Sequence, residues 1–247
     1  MLNVAVVIPV YNELNRFDLT NLDRLIQSKN IYKVKIYLVD DASIDGLFFK
    51  IKNYVKFNDL NVEIIEFKVN KGKAEALRQG FLHATQENFE ILLMADADFS
   101  TPVSEVLNLA DLLRTTSNEI ILGSRKRTSN NKIHSVRSRF LAGRLFAIQV
   151  RLLFGIKIYD TQCGFKAFRN TLEFRESISY PFRDRWLFDL ELMLRIRAQN
   201  QTKVHTWLEH PLTSWVEAPE SKVTFKQKIS AVISLYRLKF SNLSANN

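Results

Sequence analysis

The stretch VAVVIPVYNE, residues 4–13, decides the fold, because it is a strand-length apolar run followed at once by polar residues. Four similar runs follow it, separated by longer stretches with helical periodicity. Parallel strands need crossover connections of helix length, so this alternation predicts an α/β fold with a mostly parallel central sheet and helices on both faces. The predicted strands are Val4–Val10, Val34–Val39, Val62–Glu66, Ile91–Ala95 and Glu119–Leu122, and the predicted helices between them are Asn15–Ser28, Gly46–Phe57, Lys73–Thr85 and Val103–Arg114.

The regular alternation ends after Leu122, where the polar, basic stretch RKRTSNNKIHS begins and indicates a loop. Beyond it we predict an apolar-rich helix, a hairpin or loop, a second helix, a polar loop through Pro219 and a terminal amphipathic helix. These segments are Val136–Phe154, Ile156–Phe168, Asp189–Ala198, the stretch before Pro219, and Thr224–Phe240, in that order. The terminal helix could dock on the core, rest on a membrane or pair with another subunit; core docking is the default.

Composition excludes several classes of protein. The 247 residues are 46% hydrophobic and include a single cysteine, Cys163, so the chain can bury a core and has neither a disulfide framework nor a Cys-rich zinc site. No run approaches the roughly 18 apolar residues that a membrane span needs, and the N-terminal apolar run lacks a basic leader. We therefore expect a cytoplasmic protein, peripheral to a membrane, without a transmembrane segment or signal peptide.

The excess positive charge lies in one segment. The net charge is +9, yet residues 123–169 hold eleven Lys and Arg against a single acid, Asp160, so this segment carries 11 − 1 = +10 and the remainder −1. Such a concentration indicates an anionic partner bound by the second half of the chain. A nucleic-acid-binding protein would interleave aromatic residues with these arginines, whereas this segment interleaves mostly aliphatic ones.

Acidic residues follow two of the predicted strands. Asp40 and Asp41 follow the second strand, and Asp96 and Asp98 follow the fourth. In an open α/β sheet ligands bind beyond the carboxyl ends of the strands, and i, i+2 spacing in extended chain would direct Asp96 and Asp98 to one side. Carboxylates and phosphate oxygens together suit a hard divalent cation. The alternative, that these residues cap helices or stabilise turns, stays open for each pair.

Two further stretches adjoin the same predicted edge of the sheet. Pro9 cannot donate to a ladder, so we expect pairing to stop there and Tyr11 and Asn12 to face a bound base or ribose, unless Asn12 only caps the next helix. Lys71 or Lys73, at the start of a predicted helix, could meet a phosphate beside the helix N-terminus, and Arg78, one to two turns further on, could point the same way. A solvated loop lysine is the alternative.

These motifs, in this order, resemble those of the family 2 glycosyltransferases with the GT-A fold. The shared strings in the first half are VVIPVYNE, VDDASIDG, NKGKAEALRQG and DADFS. The later DTQCGFKAF, FDLELM and SWVE…SKV resemble the polyprenyl-phosphate hexose synthases, and DTQCGFK most resembles dolichyl-phosphate β-glucosyltransferases. The resemblance implies a nucleotide-sugar half at residues 1–125, an acceptor half of the same domain at 126–222, and an amphipathic C-terminal helix and tail at 223–247.

The resemblance also implies the donor site. Asp98 would bind Mg²⁺ or Mn²⁺ directly as part of a pair with Asp96, and Arg125 would edge the site. Ser100 stands where mannosyl relatives often carry a metal-binding Gln, which leaves the donor open. The residues expected to bind the nucleotide sugar are Pro9, Tyr11, Glu13, Asp40, Asp41, Lys73, Arg78, Asp96, Ala97, Asp98 and Arg125.

On the acceptor side, Arg137, Arg144 and Arg151 recur every seven residues and so share one stripe of a helix, which suits an anionic lipid headgroup. A solvated basic face is the alternative. The resemblance places Asp160 and Asp189 beside the acceptor, Asp160 as a base, as a positioning group or in a structural salt bridge. The expected acceptor-phosphate ligands are Arg137, Arg139, Arg144, Gln162, Lys166, Ser221 and Lys222, with Asp98, Asp160 and Asp189 as catalytic candidates.

Together these features predict an inverting glycosyltransferase. The favoured reaction moves glucose from UDP-glucose to a polyprenyl or dolichyl phosphate at a membrane surface, and the chain could act as a homodimer. The enzyme alternatives are a GDP-mannose-dependent polyprenyl-phosphate mannosyltransferase and a family 2 enzyme that builds another glycan. The non-enzyme alternative is a basic nucleic-acid-binding protein. A receiver-type regulatory domain would leave the 124 residues beyond Gly123 unexplained.

Overall fold

The computed structural model describes residues 2–27, 32–129, 131–134, 137–199, 207–216 and 225–240. The strands in this part of the chain are β1 Leu2–Val10, β2 Tyr32–Asp40, β3 Val62–Glu66, β4 Ile91–Met94, β5 Ile120–Ser124, β6 Lys132–His134, β7 Lys166–Arg169, β8 Trp207–Pro211 and β9 Ser214–Val216. The helices are α1 Thr20–Gln27, α2 Leu47–Phe57, α3 Lys73–Thr85, α4 Val103–Thr115, α5 Arg137–Phe154, α6 Leu172–Ser179, α7 Phe188–Gln199 and α8 Phe225–Phe240.

The central sheet has the strand order β3-β2-β1-β4-β7-β5-β8, and only β7 runs antiparallel to its neighbours. The predicted α/β fold with a mostly parallel sheet is therefore confirmed. All five predicted strands and the predicted helices are present within a few residues of their expected bounds; α1 is the exception, since it begins at Thr20 and the residues before it form turns. β6 and β9 form a separate parallel pair.

Five elements of the second half were not predicted correctly: β6 lies in the basic stretch that was expected to be a loop, and the others are β7, β8, β9 and α6. The hairpin or loop expected over Ile156–Phe168 is wrong at its end, because Lys166 begins β7, which lies alone between β4 and β5. The expected polar loop before Pro219 contains β8 and β9, and the helix α6 was not predicted at all. Each of these elements is short, and β7 starts on a lysine, so none shows the apolar periodicity on which sequence prediction depends.

Side chains of β1 alternate between two cores, as the two-residue period of a strand requires. Val4, Val6 and Ile8 pack with residues of α1, α2 and α4 on one face. Ala5 and Val7 pack with α3 and the helices of the second half on the other face. α3 lies so close to β1 that a Cβ at Gly80 would come within 2.3 Å of Val7 Cγ1.

The strand order reverses at β1, since β2 and β3 lie on one side of it and β4 on the other. This reversal opens a crevice beyond the carboxyl ends of β1 and β4, which is where ligands bind in open α/β sheets. The chain segments that enter the crevice are Tyr11–Glu13 and Asp96–Asp98. The topology therefore brings together two motifs that lie more than 80 residues apart in the sequence.

The expectation that pairing stops at Pro9 holds on one side of β1 only. Pairing with β4 ends at Val7, whose carbonyl accepts a hydrogen bond from Ala95, but pairing with β2 continues to Val10. Backbone groups of successive strand residues point to opposite neighbours, so the missing N–H of Pro9 falls on the β4 side, beyond the end of β4. The proline thus costs no hydrogen bond.

Helices α5 and α8, the two longest described, pack against each other in the second half. No helix within the described residues is both long and apolar enough to cross a membrane.

Candidate functional site

The loops that follow β1 and β2 interlock. The Asn12 backbone N–H donates to Ser43 Oγ (3.0 Å), and Asn12 Oδ1 accepts from the Ile44 backbone N–H (2.9 Å). Both loops contain a residue in the left-handed region, Asn12 at φ 50° and Ala42 at φ 63°. Non-glycine residues adopt this conformation only at a cost, so the two loops hold each other in a fixed shape at the rim of the crevice.

Asp41 holds the loop before α3 in place. Its buried carboxylate accepts hydrogen bonds from Asn70 Nδ2 (2.8 Å) and from the backbone N–H groups of Lys71 (2.6 Å) and Gly72 (2.8 Å). Burial raises the pKa of Asp41, and the two backbone N–H groups partly offset this effect. Its neighbour Asp40 is also buried and accepts from the backbone of Ser43. The contacts of Asp40 and Asp41 therefore show the alternative role, in which the two residues stabilise turns.

Asp96 and Asp98 lie in a tight turn instead of extended chain, which corrects the expected i, i+2 arrangement. The Phe99 N–H donates to the Asp96 carbonyl (3.2 Å), and Phe99 has φ 44°. Asp98 Oδ1 accepts from the backbone N–H (3.0 Å) and hydroxyl (2.7 Å) of Ser100. Asp98 Oδ2 is 3.8 Å from a guanidinium nitrogen of Arg16, and the side chain is partly exposed.

Asp96 is surrounded by cations and by backbone. Its Oδ1 accepts a hydrogen bond from Lys73 Nζ, and a Cβ at Gly164 would lie 1.8 Å from its Oδ2. Burial would raise the pKa of Asp96, but the charges of Lys73, Lys166 and Arg125 outweigh it and lower that pKa below its ordinary value. The carboxylate therefore stays ionised at neutral pH, and Gly164 allows the DTQCGFK loop to touch it.

Asp160 forms a two-point ion pair with Arg125. Arg125 Nε donates to Asp160 Oδ2 (2.6 Å), and a second guanidinium nitrogen donates to Oδ1 (2.8 Å). Burial would raise the pKa of Asp160, but Arg125 lowers it overall. Glu209 of β8 holds the loop by accepting from the backbone N–H of Tyr159 and Asp160. Asp160 was expected to act as a base, as a positioning group or in a structural salt bridge, and these contacts show a salt bridge that positions Arg125. A lowered pKa and two engaged carboxylate oxygens disfavour the role of a base.

Lys166 and Asp189 form a second, fully buried ion pair. Lys166 Nζ donates to Asp189 Oδ1 (2.7 Å) and to the Cys163 carbonyl. Burial raises the pKa of Asp189, and Lys166 partly offsets this effect. Lys166 Nζ is engaged by both of these partners, which disfavours the role of acceptor-phosphate ligand that was expected for it. The next acid on α7, Glu191, pairs with Arg195 instead, so only Asp189 faces the charged cluster, as its spacing predicts.

Arg78 was expected to bind the nucleotide sugar, and the structure corrects this expectation as well. Its guanidinium pairs with Glu75 and donates to the carbonyls of Ile178 and Ser179 (both 3.2 Å). Five residues along a helix correspond to about 140° of rotation, so Arg78 points away from Lys73. It ties α3 to the end of α6 and does not reach the crevice.

The structure thus gathers part of the predicted site into one charged cluster. The cluster consists of Lys73, Asp96, Arg125, Asp160, Lys166 and Asp189. Pro9, Tyr11, Glu13, Ala97 and Asp98 lie on the segments that border the crevice beside it. Arg144 stacks over the Tyr159 ring at 3.9 Å, next to the Asp160 loop. The side chains of Arg137 and Arg139, and the whole of Ser221 and Lys222, lie outside the described residues.

Three residues at the site escaped prediction from the sequence. Arg16 pairs with Glu13 and approaches Asp98, and Gly164 contacts Asp96. The Arg185 side chain would lie 3.2 Å from a Cβ at Gly72, and its charge offsets part of the rise that burial causes in the pKa of Asp41. Arg16 and Arg185 follow no motif. The CG pair of DTQCGFK was the one available signal for Gly164, since glycine often marks close backbone approach.

The donor set fits a hard divalent cation that shares its coordination with a phosphate-bearing ligand. Within the described residues, no group of three His, Cys, Asp or Glu side chains could enclose a metal ion. Asp96 and Asp98 supply two carboxylates from one turn, and a cation such as Mg²⁺ is commonly held by one or two carboxylates plus substrate phosphates and water. These two residues would hold it.

An α/β sheet whose switch point carries an acidic turn, faced by lysine and arginine, has the charges that suit a phosphate-bearing ligand at the carboxyl ends of its strands. The model of the family Glycosyl transferase family 2 matches residues 5–174. The chain belongs to this family and is a glycosyltransferase with the GT-A fold.

Similar proteins of known function include dolichyl-phosphate beta-glucosyltransferases. The protein of that name from Saccharomyces cerevisiae is 35% identical over 89% of this chain and 69% of its own length. The Homo sapiens protein of that name is 28% identical over 87% of this chain and 72% of its own length. An undecaprenyl-phosphate mannosyltransferase from Micrococcus luteus is 26% identical over 68% of this chain and 67% of its own length.

Among solved structures, glucosyl-3-phosphoglycerate synthase from Mycobacterium tuberculosis in complex with UDP has a TM-score of 0.66 and 16% identity. The match covers 96% of this chain and 80% of that one. The same enzyme in complex with Mn²⁺, UDP and phosphoglyceric acid has a TM-score of 0.66 and 13% identity, over 98% and 80% of the two chains. At such identity the likeness shows the fold alone.

Proposed function

We propose that this glycosyltransferase moves glucose, with inversion, from UDP-glucose to the phosphate of a polyprenyl or dolichyl lipid. The observation that carries the proposal is the Asp96–Asp98 turn at the switch point, faced by Lys73 and adjoined by the Arg125–Asp160 pair. Relatives named for glucose transfer to dolichyl phosphate are similar over most of the chain, whereas the mannosyltransferase relative covers less of it. Solved structures of the same fold hold UDP-glucose and Mn²⁺.

On the donor side, Asp96 and Asp98 would hold Mg²⁺ or Mn²⁺ against the diphosphate. When bound, the cation stabilises the negative charge that develops on the departing diphosphate. Lys73 lies at the first residue of α3, where the helix N-terminus also favours anions. Tyr11, Pro9 and Glu13, together with the loop that Asp41 fixes, would bind the nucleoside. Arg16 and Arg185 add positive charge to this side.

On the acceptor side, a lipid phosphate is already anionic, so its oxygen can attack the anomeric carbon without a strong general base. What the reaction needs instead is positive charge that brings two anions together. Asp160 would contribute by holding Arg125 in place. The buried Lys166–Asp189 pair would contribute by holding the loop that contacts Asp96. Asp160 and Asp189 are therefore positioning residues in this account, and Asp98 is the catalytic one.

The DTQ stretch would bind the acceptor phosphate. Within the part of the chain that is described, Gln162 Nε2 and Thr161 Oγ1 are buried without a hydrogen-bond partner, and buried polar groups rarely remain so. Arg144 lies over Tyr159 in the same region.

We retain Arg137, Arg139, Ser221 and Lys222 as predicted ligands of the acceptor phosphate. We also keep the predicted division of the chain into residues 1–125, 126–222 and 223–247. A lipid acceptor also places the enzyme at a membrane surface; homodimer formation stays a prediction.

The test is transfer of radiolabelled sugar into an organic phase. The protein is incubated with Mn²⁺, one labelled nucleotide sugar from a panel, and a polyprenyl phosphate. We expect label in the lipid with UDP-glucose alone. Label from GDP-mannose instead would support the mannosyltransferase alternative. Absence of transfer from every donor, with UDP binding demonstrated, would contradict the proposal.

A further inference from the structure

Helix α5 is apolar on two opposite faces. Its buried face packs into the core through Ala147, Val150 and Phe154. The opposite face exposes four large aliphatic side chains at successive spacings of four, three and four residues, which places them on one stripe. This α5 stripe consists of Leu141 (61% exposed), Leu145 (59%), Ile148 (48%) and Leu152 (79%).

Helix α8, which packs against α5, repeats this arrangement. It buries Leu235 and Leu238 and exposes Ile233, Tyr236 and Phe240, which again share one stripe. Lys239 Nζ lies 5.7 Å from the centre of the Phe154 ring and links the ends of the two helices. Exposed apolar side chains in such regular rows on neighbouring helices are more than the scattered ones that any surface carries.

The charge beside these stripes has one sign. The sequences of α5 and α8 contain eight Lys and Arg residues and no Asp or Glu. Arg144 and Arg151 lie about 70–90° from the centre of the α5 stripe, along one flank. A helix with apolar side chains on its outer face and cations beside them suits the boundary between the headgroups and acyl chains of an anionic membrane.

We propose that the outer stripes of α5 and α8 insert into the surface of an anionic lipid bilayer and so bring the acceptor site to its substrate. The inference rests on the proposed function, since a lipid acceptor gives the contact its purpose. The outer stripes would contact the lipids of the bilayer, whereas the acceptor phosphate would bind at the DTQ stretch.

The test is co-sedimentation of the full chain with vesicles of phosphatidylglycerol and phosphatidylcholine. The variant pair is Leu145→Gln with Leu152→Gln. The matched control is Phe49→Gln with Phe57→Gln, which changes two similarly exposed side chains (70% and 89%) on α2, at the far edge of the sheet. We expect the α5 double variant to bind vesicles about tenfold or more weakly and the control to bind as wild type does. Wild-type binding should also fall when phosphatidylglycerol is omitted.

A second readout separates this inference from the proposed function. Transfer to a short, water-soluble prenyl phosphate, without vesicles, should be unchanged in the α5 double variant, while transfer to long-chain acceptor in vesicles should fall. Loss of transfer to the short acceptor would assign the stripe to the acceptor's own chain and overturn the inference. Equal vesicle binding by both double variants would also overturn the inference. So would the finding that the wild type is a dimer in lipid-free buffer and that the α5 substitutions, but not the α2 substitutions, dissociate it. Vesicle binding by a wild type that transfers no sugar would leave the inference standing and the proposed function refuted.

Discussion

At position 164 only a hydrogen atom fits between the chain and the Asp96 carboxylate. A Cβ there would lie 1.8 Å from Asp96 Oδ2, so Gly164→Ala must displace the carboxylate or the DTQCGFK loop. We expect kcat/KM to fall about 100-fold, because small misplacements in an active site cost that much, while the free energy of unfolding falls by about 1–3 kcal/mol. Steady-state kinetics and urea unfolding measure the two effects.

The matched control for Gly164 is Gly143. Gly143 is an exposed residue in the second turn of α5, and a Cβ there would meet nothing within 4 Å. Gly143→Ala should therefore keep wild-type kinetics and gain up to about 1 kcal/mol of stability from helix propensity. Equal kinetic losses in both variants would show that the contact at Gly164 has no special role.

The Arg125–Asp160 pair predicts a particular dependence of stability on pH. The pKa of Asp160 is lower in the folded protein than in the unfolded chain, where it is about 3.8. The ion pair therefore contributes to the free energy of unfolding at any pH above the unfolded pKa, and this contribution is lost as the pH falls through the folded pKa. Asp160→Asn should be on the order of 2 kcal/mol less stable than wild type at neutral pH, because Arg125 loses its charged partner.

Urea unfolding from about pH 7 down to about pH 3 measures this difference. The gap between wild type and variant should stay constant above about pH 4 and narrow below it. A gap that widens on acidification would contradict the salt-bridge assignment.

At the level of elements, β7 holds the two halves of the chain in one sheet. Its Phe168 packs against Phe81 of α3 and Phe174 of α6, with ring centroids 5.7 and 5.0 Å apart. Phe168→Ala should lower the free energy of unfolding by about 3–5 kcal/mol through loss of burial and the cavity that remains. Phe57→Ala, at an exposed position of α2, should change it by less than about 0.5 kcal/mol. Similar small changes in both variants would show that β7 is not part of the cooperative core.

The elements that sequence reasoning found are those whose side chains repeat. β1 is apolar nearly throughout, β2 is apolar from Ile36 to Val39, and α3 shows a helical pattern over its whole length, so their positions follow from the sequence pattern. β7 has four residues and gains its place from pairing with β4 and β5, which are far away in the sequence. Tertiary pairing of this kind leaves no local pattern.

The same distinction applies to the candidate site. Asp96 and Asp98 could be found because they follow a predicted strand, and the family motifs directed attention to Asp160 and Asp189. Which partner each of them has could not be found, since Lys166 reaches Asp189 only after β7 is placed and Arg78 turns away only once α6 lies beside α3. Helical rotation alone, however, already separates Arg78 from Lys73.

For the whole molecule, the proposed function depends on Asp96 and Asp98, which would hold a cation beside the diphosphate at the switch point. Asp98→Asn tests this most directly, because an amide oxygen can keep both hydrogen bonds from Ser100 while the negative charge is lost.

The measurement is calorimetric titration of UDP into wild type and Asp98→Asn, each with and without Mn²⁺. We predict that Mn²⁺ increases the affinity of wild type for UDP about tenfold or more, and that this increase disappears in the variant while metal-free UDP binding remains. An increase of the same size in Asp98→Asn would contradict the account.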